Sequence, residues 1–337
     1  MRIKYNIDWY KNKIIIENDP NRIISNIFDY QNIIRRRPDT DRNVFGGNYF
    51  YGVNYILKRY SGYKGSIYGF IEHAPGLTNL SLHEYKEKGL NSLLVSSKQR
   101  KEFISEYTDK YVIDIGPSIA YAESVYDEKK LAATKENLGK TLLVYPSHNI
   151  EDTNWKNDTE NFIEFVKKLA EKYEYSSVLV SLYFTDIERG LNIRYEKEGW
   201  KVVSSGHRDN YDFNDCMKTI IKLADCAVFE GYSSSIGYCV YENVPVVIYP
   251  DKENEKTKLS TVNYVSNEIF DLFELFSEYK EELTDEQREF CRYWFGFDSV
   301  KSKEQLSNIL KLLNDAKKKD KKGIEKLAES KKYQLQK

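Results

Sequence analysis

The chain has 337 residues, room for roughly two domains of ordinary size. Apolar residues make up 41% of it, enough for real cores, and a net charge of −1 supplies no global field for nucleic acid or an acidic partner. Its four cysteines (Cys216, Cys226, Cys239 and Cys291) lack metal-ligand spacing, and no signal-peptide core or run of about 20 apolar residues is present; a reduced, cytoplasmic setting is expected, at most against the inner face of the plasma membrane. Tyrosine is frequent at 28 residues, which reads as an AT-rich coding bias rather than as a functional signal.

In chain order, the first part gives strands near 14–16, 66–71, 92–96 and 112–115, and helices over 49–60, entered through Gly46-Gly47, and 98–107. The charged stretch 122–139 is helical and without an apolar strand, which suits a connector. After it, strands at Thr141–Tyr145, 177–184, 201–204, 226–230 and 246–249 alternate with amphipathic helices at 159–173, 187–198, 214–224 and 234–242. Strand alternating with helix means a parallel sheet with right-handed crossovers. Helices follow at 267–280, 285–294 and 303–314. The predicted organisation is an N-terminal Rossmann-like domain (1–125), a connector (126–139), a second Rossmann-like domain (140–255), C-terminal helices (256–315) and a lysine-rich tail (316–337). The tail reads as solvated, with weak attraction to an anionic membrane, aided by Ile324 and Leu327, as its functional alternative.

Three of the four histidines stand just past an apolar run: His73, His148 and His207. Loops at the carboxyl ends of parallel strands line the ligand crevice, so these imidazoles point to a cleft. The segment around Phe229-Glu-Gly-Tyr-Ser-Ser-Ser-Ile-Gly237 reads as strand, small-residue turn and helix. Ser233, Ser234 and Ser235 fall at that helix start, where unpaired backbone N–H groups suit a phosphate. Ser147 and His148, in Tyr145-Pro-Ser-His148, and Gly206, His207 and Arg208 are further phosphate candidates; Arg208 suits bidentate contact. Glu72-His73 opens the Ala74-Pro75-Gly76 turn and offers a general base, His73, with Glu72 to orient it or act instead. Arg35-Arg36-Arg37 is a basic turn, solvated or in contact with an anionic acceptor. No Walker A loop and no full Gly-x-Gly-x-x-Gly occurs, which ranks ATP hydrolysis and hydride transfer low.

The strand, small-residue turn, helix and Asn243-Val-Pro-Val-Val247 strand entry resemble the donor-binding corner of GT-B-fold glycosyltransferases. The wider run, with Ile71-Glu-His-Ala-Pro-Gly76, Ile115-Gly-Pro-Ser-Ile-Ala-Tyr-Ala122 and Leu142-Leu-Val-Tyr-Pro-Ser-His148, is similar to bacterial capsule and surface-polysaccharide transferases over roughly residues 65–250. The resemblance implies two Rossmann-like domains facing a cleft, with C-terminal helices packing across the interface. It implies an inverting glycosyltransferase working on a nucleotide-sugar donor and a glycan or lipid-linked acceptor, without a metal or other cofactor. Many GT-B enzymes carry a ribose-binding glutamate seven residues before the proline; Tyr238 stands there here, and Glu230 is the alternative carboxylate. A nucleotide-sugar epimerase or a polyol-phosphate transferase fits the same design, and a non-catalytic scaffold or glycan-binding subunit is the rival from another class.

Overall fold

The computed structural model describes residues 24–36, 48–72, 90–147, 159–250, 267–330, 333 and 335. It is an α/β protein built on two wholly parallel sheets. The first carries β1 (Phe70–Ile71), β2 (Ser92–Val95) and β3 (Tyr111–Asp114) in the order β1-β2-β3. The second carries β4 (Thr141–Tyr145), β5 (Ser177–Ser181), β6 (Lys201–Val203), β7 (Cys226–Phe229) and β8 (Val246–Ile248), in the order β6-β5-β4-β7-β8.

The strands of the second sheet are apolar on both faces, as a sheet covered on both sides must be. Leu142, Val144, Val180 and Val228 pack with Phe162, Ile163 and Val166 of helix Thr159–Lys172 on one face. Leu143, Leu179, Ala227 and Phe229 pack with Ile220 of helix Phe213–Lys222 and with Ile236 and Cys239 of helix Ser235–Tyr241 on the other. Chain order explains the geometry: the path runs outward from β4 through β5 to β6, then returns to lay β7 against β4 on its other side. The first sheet is a smaller version, with Val53 and Leu57 of helix Val53–Ser61 on one face and Ile104 of helix Lys98–Ser105 on the other.

The C-terminal helices join the two layers. Helix Asp285–Phe295 packs on Ser235–Tyr241, where a Cβ on Gly237 would lie 2.2 Å from the Phe295 ring. The chain then turns at Gly296 (φ 79), whose missing Cβ would meet the Ser96 carbonyl oxygen at 2.1 Å, so the turn closes on the first sheet. Helix Lys303–Ala316 follows, opened by a Ser302/Gln305 capping box, and buries Leu306, Leu310 and Leu313 against Leu57, Ile71 and Leu94. Between the layers, the Arg59 guanidinium donates to both oxygens of Asp215 at 2.7 and 2.8 Å, and the Glu123 N–H donates to the same carboxylate at 2.8 Å.

Several elements differ from the sequence expectation. The 66–71 strand is reduced to Phe70–Ile71, and 177–184 to Ser177–Ser181. The 187–198 helix is two short ones, Phe184–Glu188 and Asn192–Glu196, broken at Gly190 with φ 80. The lysine-rich end is not simply solvated: Lys321–Glu329 is helical and buries Ile324 against Leu312, Ala316 and Tyr333, with Leu327 packed alongside. Those two side chains are therefore spent on the fold, and only the lysines remain for an anionic surface. The expected strand at 14–16 lies outside the described residues. Among the described residues no helix is long and apolar enough to cross a membrane.

Candidate functional site

In a parallel sheet a crevice opens where two neighbouring strands send their connections to opposite faces. Here that place lies between β4 and β7. The segment leaving β4 is Pro146-Ser147, and the one leaving β7 is Glu230-Gly231-Tyr232-Ser233. They are pinned to each other: the Ser147 N–H donates to the Glu230 carboxylate at 2.8 Å, and the Glu230 N–H donates to the Tyr145 carbonyl at 3.0 Å. A Cβ on Gly231 would stand 3.2 Å from the Ser147 hydroxyl oxygen, so glycine leaves that hydroxyl its place.

Above this floor lies a cleft of about 160 Å3. Ser147, Ser181, Ser205, Ser233, Ser234 and Ser235 line it, with Tyr51, Tyr145, Tyr183, Tyr232, Tyr238 and Asn214; Phe213, Phe229, Met217 and Leu182 supply apolar wall. No carboxylate, lysine, arginine or histidine is among the described lining residues. Hydroxyls and apolar faces together suit a polyhydroxylated or phosphorylated ligand that is held by neutral donors. The volume is below the few hundred Å3 of a typical small-molecule site, room for only part of a nucleotide-sized ligand.

The sequence candidates divide. Ser147, Gly206, Ser233, Ser234 and Ser235 all line the cleft. Within the serine run the hydroxyls differ: Ser233 accepts from the Ser235 N–H at 3.2 Å, and the Ser235 hydroxyl faces the Met217 sulfur at 3.8 Å. The helix that follows has only seven residues, so the strand-end crevice, and not a helix dipole, marks this corner. Glu230 is 4% exposed and lies beneath the cleft, where its carboxylate holds Ser147.

Gly206 has φ 95 and a Cβ there would meet Asn210 at 2.8 Å, a tight turn that lets the chain after β6 fold back. His207 turns away from the cleft. Its ring packs on Phe184 at 4.2 Å, and Nδ1 accepts the Asp209 N–H at 3.1 Å. Because Nδ1 is the acceptor, its 3.6 Å approach to the Asp209 carboxylate is a proximity and not an ion pair. Arg208 stands at the cleft's edge over the Phe50 ring, 5.0 Å from its centroid, with its side chain 45% exposed. His73 and His148 lie outside the described residues.

The strand ends of the first sheet make a second crevice, between Glu72, Ser96 and Ser118, of about 10 Å3. Glu72 is committed there. Arg100 Nε donates to one oxygen at 2.5 Å, and the Ser96 N–H and hydroxyl both donate to the other at 3.1 Å. Both side chains of the pair are more than nine-tenths buried. This geometry makes Glu72 a clamp on the ends of β1 and β2.

Tyr238, at the position where the resemblance calls for a glutamate, is buried and lines the cleft; its hydroxyl lies 3.2 Å from that of Ser118 and so ties the second sheet to the first. Burial pushes its phenol well above the usual range, which keeps it a neutral donor. Sequence reasoning places Tyr51, Tyr183, Asn214 and Gly231 in their elements but does not single them out as site residues. The tyrosines were hidden by the abundance of tyrosine. The one local signal was Tyr49-Phe50-Tyr51-Gly52, an aromatic run closed by glycine behind a Gly-Gly turn.

No family model matches the chain, and no curated protein matches it. Solved structures do match. A variant of the wall teichoic acid polymerase TagF is 13% identical at a TM-score of 0.38, over 68% of this chain and 58% of that one. The MnaA–UDP structure from S. aureus is 15% identical at 0.38, over 67% and 61%. The UDP-GlcNAc 2-epimerase of Methanocaldococcus jannaschii is 13% identical at 0.36, over 67% and 62%. These are enzymes of GT-B fold, and the chain spans about three-fifths of their length.

Proposed function

We propose that the chain is an inverting glycosyltransferase that moves a sugar from a nucleotide-activated donor to a glycan or lipid-linked acceptor in bacterial capsule or surface-polysaccharide synthesis. The observation that carries this reading is the hydroxyl-lined cleft at the strand reversal between β4 and β7, set against the first sheet. Negative charge grows on the leaving phosphate in such a transfer. Preorganised donors stabilise it where it develops. Ser147, Ser233 and Ser234 supply hydroxyls in this reading, and Arg208 supplies the cation at the edge. These groups do the electrostatic work a metal does elsewhere, so the reading is metal-independent. His73 takes the proton of the acceptor hydroxyl as the anomeric carbon is attacked. Glu72, clamped by Arg100, fixes the end of β1, next to His73 in the sequence.

The test is a thermal-shift screen against UDP, GDP, CDP, CMP and dTDP, without metal and then with magnesium. The reading expects one clear hit in the absence of metal, because a ligand that binds the native state raises the melting temperature by mass action. A flat response to every nucleotide overturns it in favour of a scaffold or glycan-binding subunit. The nucleotide sugar of the hit is then incubated with no acceptor, where interconversion of the sugar alone makes the enzyme an epimerase; with an acceptor present, release of CMP from a CDP-polyol as its polyol phosphate passes to the acceptor hydroxyl makes it a polyol-phosphate transferase.

A further inference from the structure

Tyr51 enters the cleft of the second sheet from a segment stitched to the first. Upstream of it, the Asn48 side chain donates to the Gly69 carbonyl at 2.7 Å and accepts from the Ile71 N–H at 2.7 Å, beside β1. At Tyr51 the backbone is left-handed, φ 57 and ψ 19. A bulky residue persists in that region only where its surroundings over-determine it, and such residues gather at ligand sites. The surroundings here are short hydrogen bonds from the second layer. The Tyr51 N–H donates to the Arg208 carbonyl at 2.6 Å, and the Asn214 side chain donates to the Tyr51 carbonyl at 2.6 Å. At Gly52 (φ 69) a Cβ would fall 2.0 Å from the Tyr211 carbonyl oxygen. The chain is thus fixed on both sides of the ring.

The ring lies 4.7 Å from that of Phe213, and its hydroxyl accepts from the Tyr183 hydroxyl. Tyr183 follows β5 and Arg208 follows β6, so three separate segments converge. The Arg208 guanidinium stands over the ring of Phe50, the residue before Tyr51, and the nearest Asp209 oxygen is 3.9 Å from its Nε, too long for a hydrogen bond. A glycine would satisfy a left-handed turn without strain. A phenol held there, beside a second phenol and an exposed guanidinium, is placed for what the ring and its hydroxyl touch. One phenol O–H, that of Tyr51, braced by the Tyr183 hydroxyl that donates to it, and one planar cation are the chemistry of an oxyanion receptor. The corner also lies two strands away from the β4/β7 reversal, about 10 Å at the usual strand spacing. It is the far side of the same cleft, and shares Arg208 with the place assigned above to the leaving phosphate.

We propose that Tyr51, Tyr183 and Arg208 form an anion subsite that takes a phosphate oxygen at the joint between the two layers. The subsite deepens the reading of this cleft as a nucleotide-sugar site and draws a residue of the N-terminal part into it. The phosphate belongs either to the donor or to a phosphorylated acceptor.

The experiment is calorimetric titration of wild type, Tyr51→Phe and Tyr51→Gly with two probes. One is the nucleoside diphosphate that gives the largest thermal shift. The other is glycerol 3-phosphate, a minimal phosphate monoester, added with and without that nucleotide. Tyr51→Gly relieves the left-handed strain but gives up the ring's packing on Phe213 and on the first-layer core, so Tyr51→Phe, which keeps the ring, is the variant whose lost binding cannot be blamed on unfolding. The expected result is about tenfold weaker binding of one probe in Tyr51→Phe, the size of one hydrogen bond to a charged group. A loss in the nucleotide titration assigns the phosphate to the donor; a loss in the glycerol 3-phosphate titration assigns it to the acceptor. Changes under twofold for both probes overturn the subsite and leave the nucleotide reading standing. Tyr51-dependent binding of glycerol 3-phosphate by a protein that binds no nucleotide does the reverse. Wild type that binds neither probe overturns both.

Discussion

The two sheets present the same kind of edge, carboxyl ends of parallel strands, yet one edge is filled and the other is open. At the first sheet, Glu72, Arg100 and Ser96 satisfy one another and leave about 10 Å3. At the second, serines, tyrosines and an asparagine surround about 160 Å3. Topology accounts for much of this. The described strands of the first sheet lie in simple order with no reversal, whereas the second reverses between β4 and β7. A strand end is therefore not a site by itself. A site forms where the connections part and polar groups face space that their own neighbours do not occupy.

The harshest way to break this comparison is to open the filled edge. Arg100→Ala leaves the Glu72 carboxylate buried beside the two donors of Ser96 and no cation. Removing one partner of a buried pair costs about 3–5 kcal/mol. Urea unfolding of the variant is expected to show a loss of that size, and the double variant Glu72→Gln/Arg100→Ala is expected to recover part of it. A loss below about 1 kcal/mol means that the pair is not structural, and Glu72 becomes available for chemistry.

A second, smaller test contrasts two carboxyls, one partly buried and one buried, in different layers, whose stability effects run with opposite sign. Burial raises the Asp114 carboxyl, but Lys301 at 3.4 Å and Lys101 at 3.1 Å overrule it and hold the group at about 2. A depressed folded value gives stability that is fully present above the unfolded value near 4 and is lost as pH falls from 4 through 2, about 2 kcal/mol in all. Asp186 is 4% exposed with one oxygen unpartnered, and burial raises it to about 6, with Arg189 only partly opposing. Its unfolded form ionises first, so stability falls as pH climbs from 4 through 6, again by about 2 kcal/mol. Denaturant titrations at pH 2.5, 4 and 7 are expected to show both limbs. Asp114→Asn flattens the acid limb and Asp186→Asn the neutral one. A variant that leaves its limb unchanged shows that the carboxyl is not responsible for it.

Much of the fold was legible because burial writes itself into sequence. Leu142-Leu-Val and Cys226-Ala-Val-Phe are apolar on both faces and bounded by turns, which is the mark of a covered parallel strand, and Phe162, Val166 and Leu169 follow helical spacing. The extent of the 66–71 strand was not legible, because strand ends depend on partner register: β1 pairs with β2 at Phe70 and Ile71. The tail helix was missed because its few apolar residues are scattered among lysines, although Ile324 is 1% exposed. For the candidate site, Ser147 and the 233–235 serines announced themselves by following strands. Tyr51 and Tyr183 did not, since a tyrosine that faces a cleft and one that packs a core look the same in a tyrosine-rich chain. Glu72 and His207 had the right local pattern, but their partners, Arg100 and Phe184, are set by the tertiary fold.

The gentlest change sharpens the comparison most, because it touches the open edge and nothing else. Gly231 has no left-handed backbone to protect, so alanine is tolerated by the chain itself. Its Cβ meets one thing, the Ser147 hydroxyl oxygen at 3.2 Å, closer than an ordinary contact. Ser147 cannot retreat without straining its N–H bond to Glu230, and Glu230 is itself fixed by the Tyr145 carbonyl. The hydroxyl must then swing out of position in the cleft. Gly231→Ala is expected to keep or slightly raise stability, by up to about 1 kcal/mol through the unfolded chain, while the affinity for the nucleotide found by the screen drops several-fold. A parallel loss of stability and affinity would place Gly231 in the fold rather than in the site. Unchanged affinity would show that the ligand does not use the Ser147 hydroxyl, and would move the phosphate contact toward Ser233 and Ser234 on the other side of the same reversal.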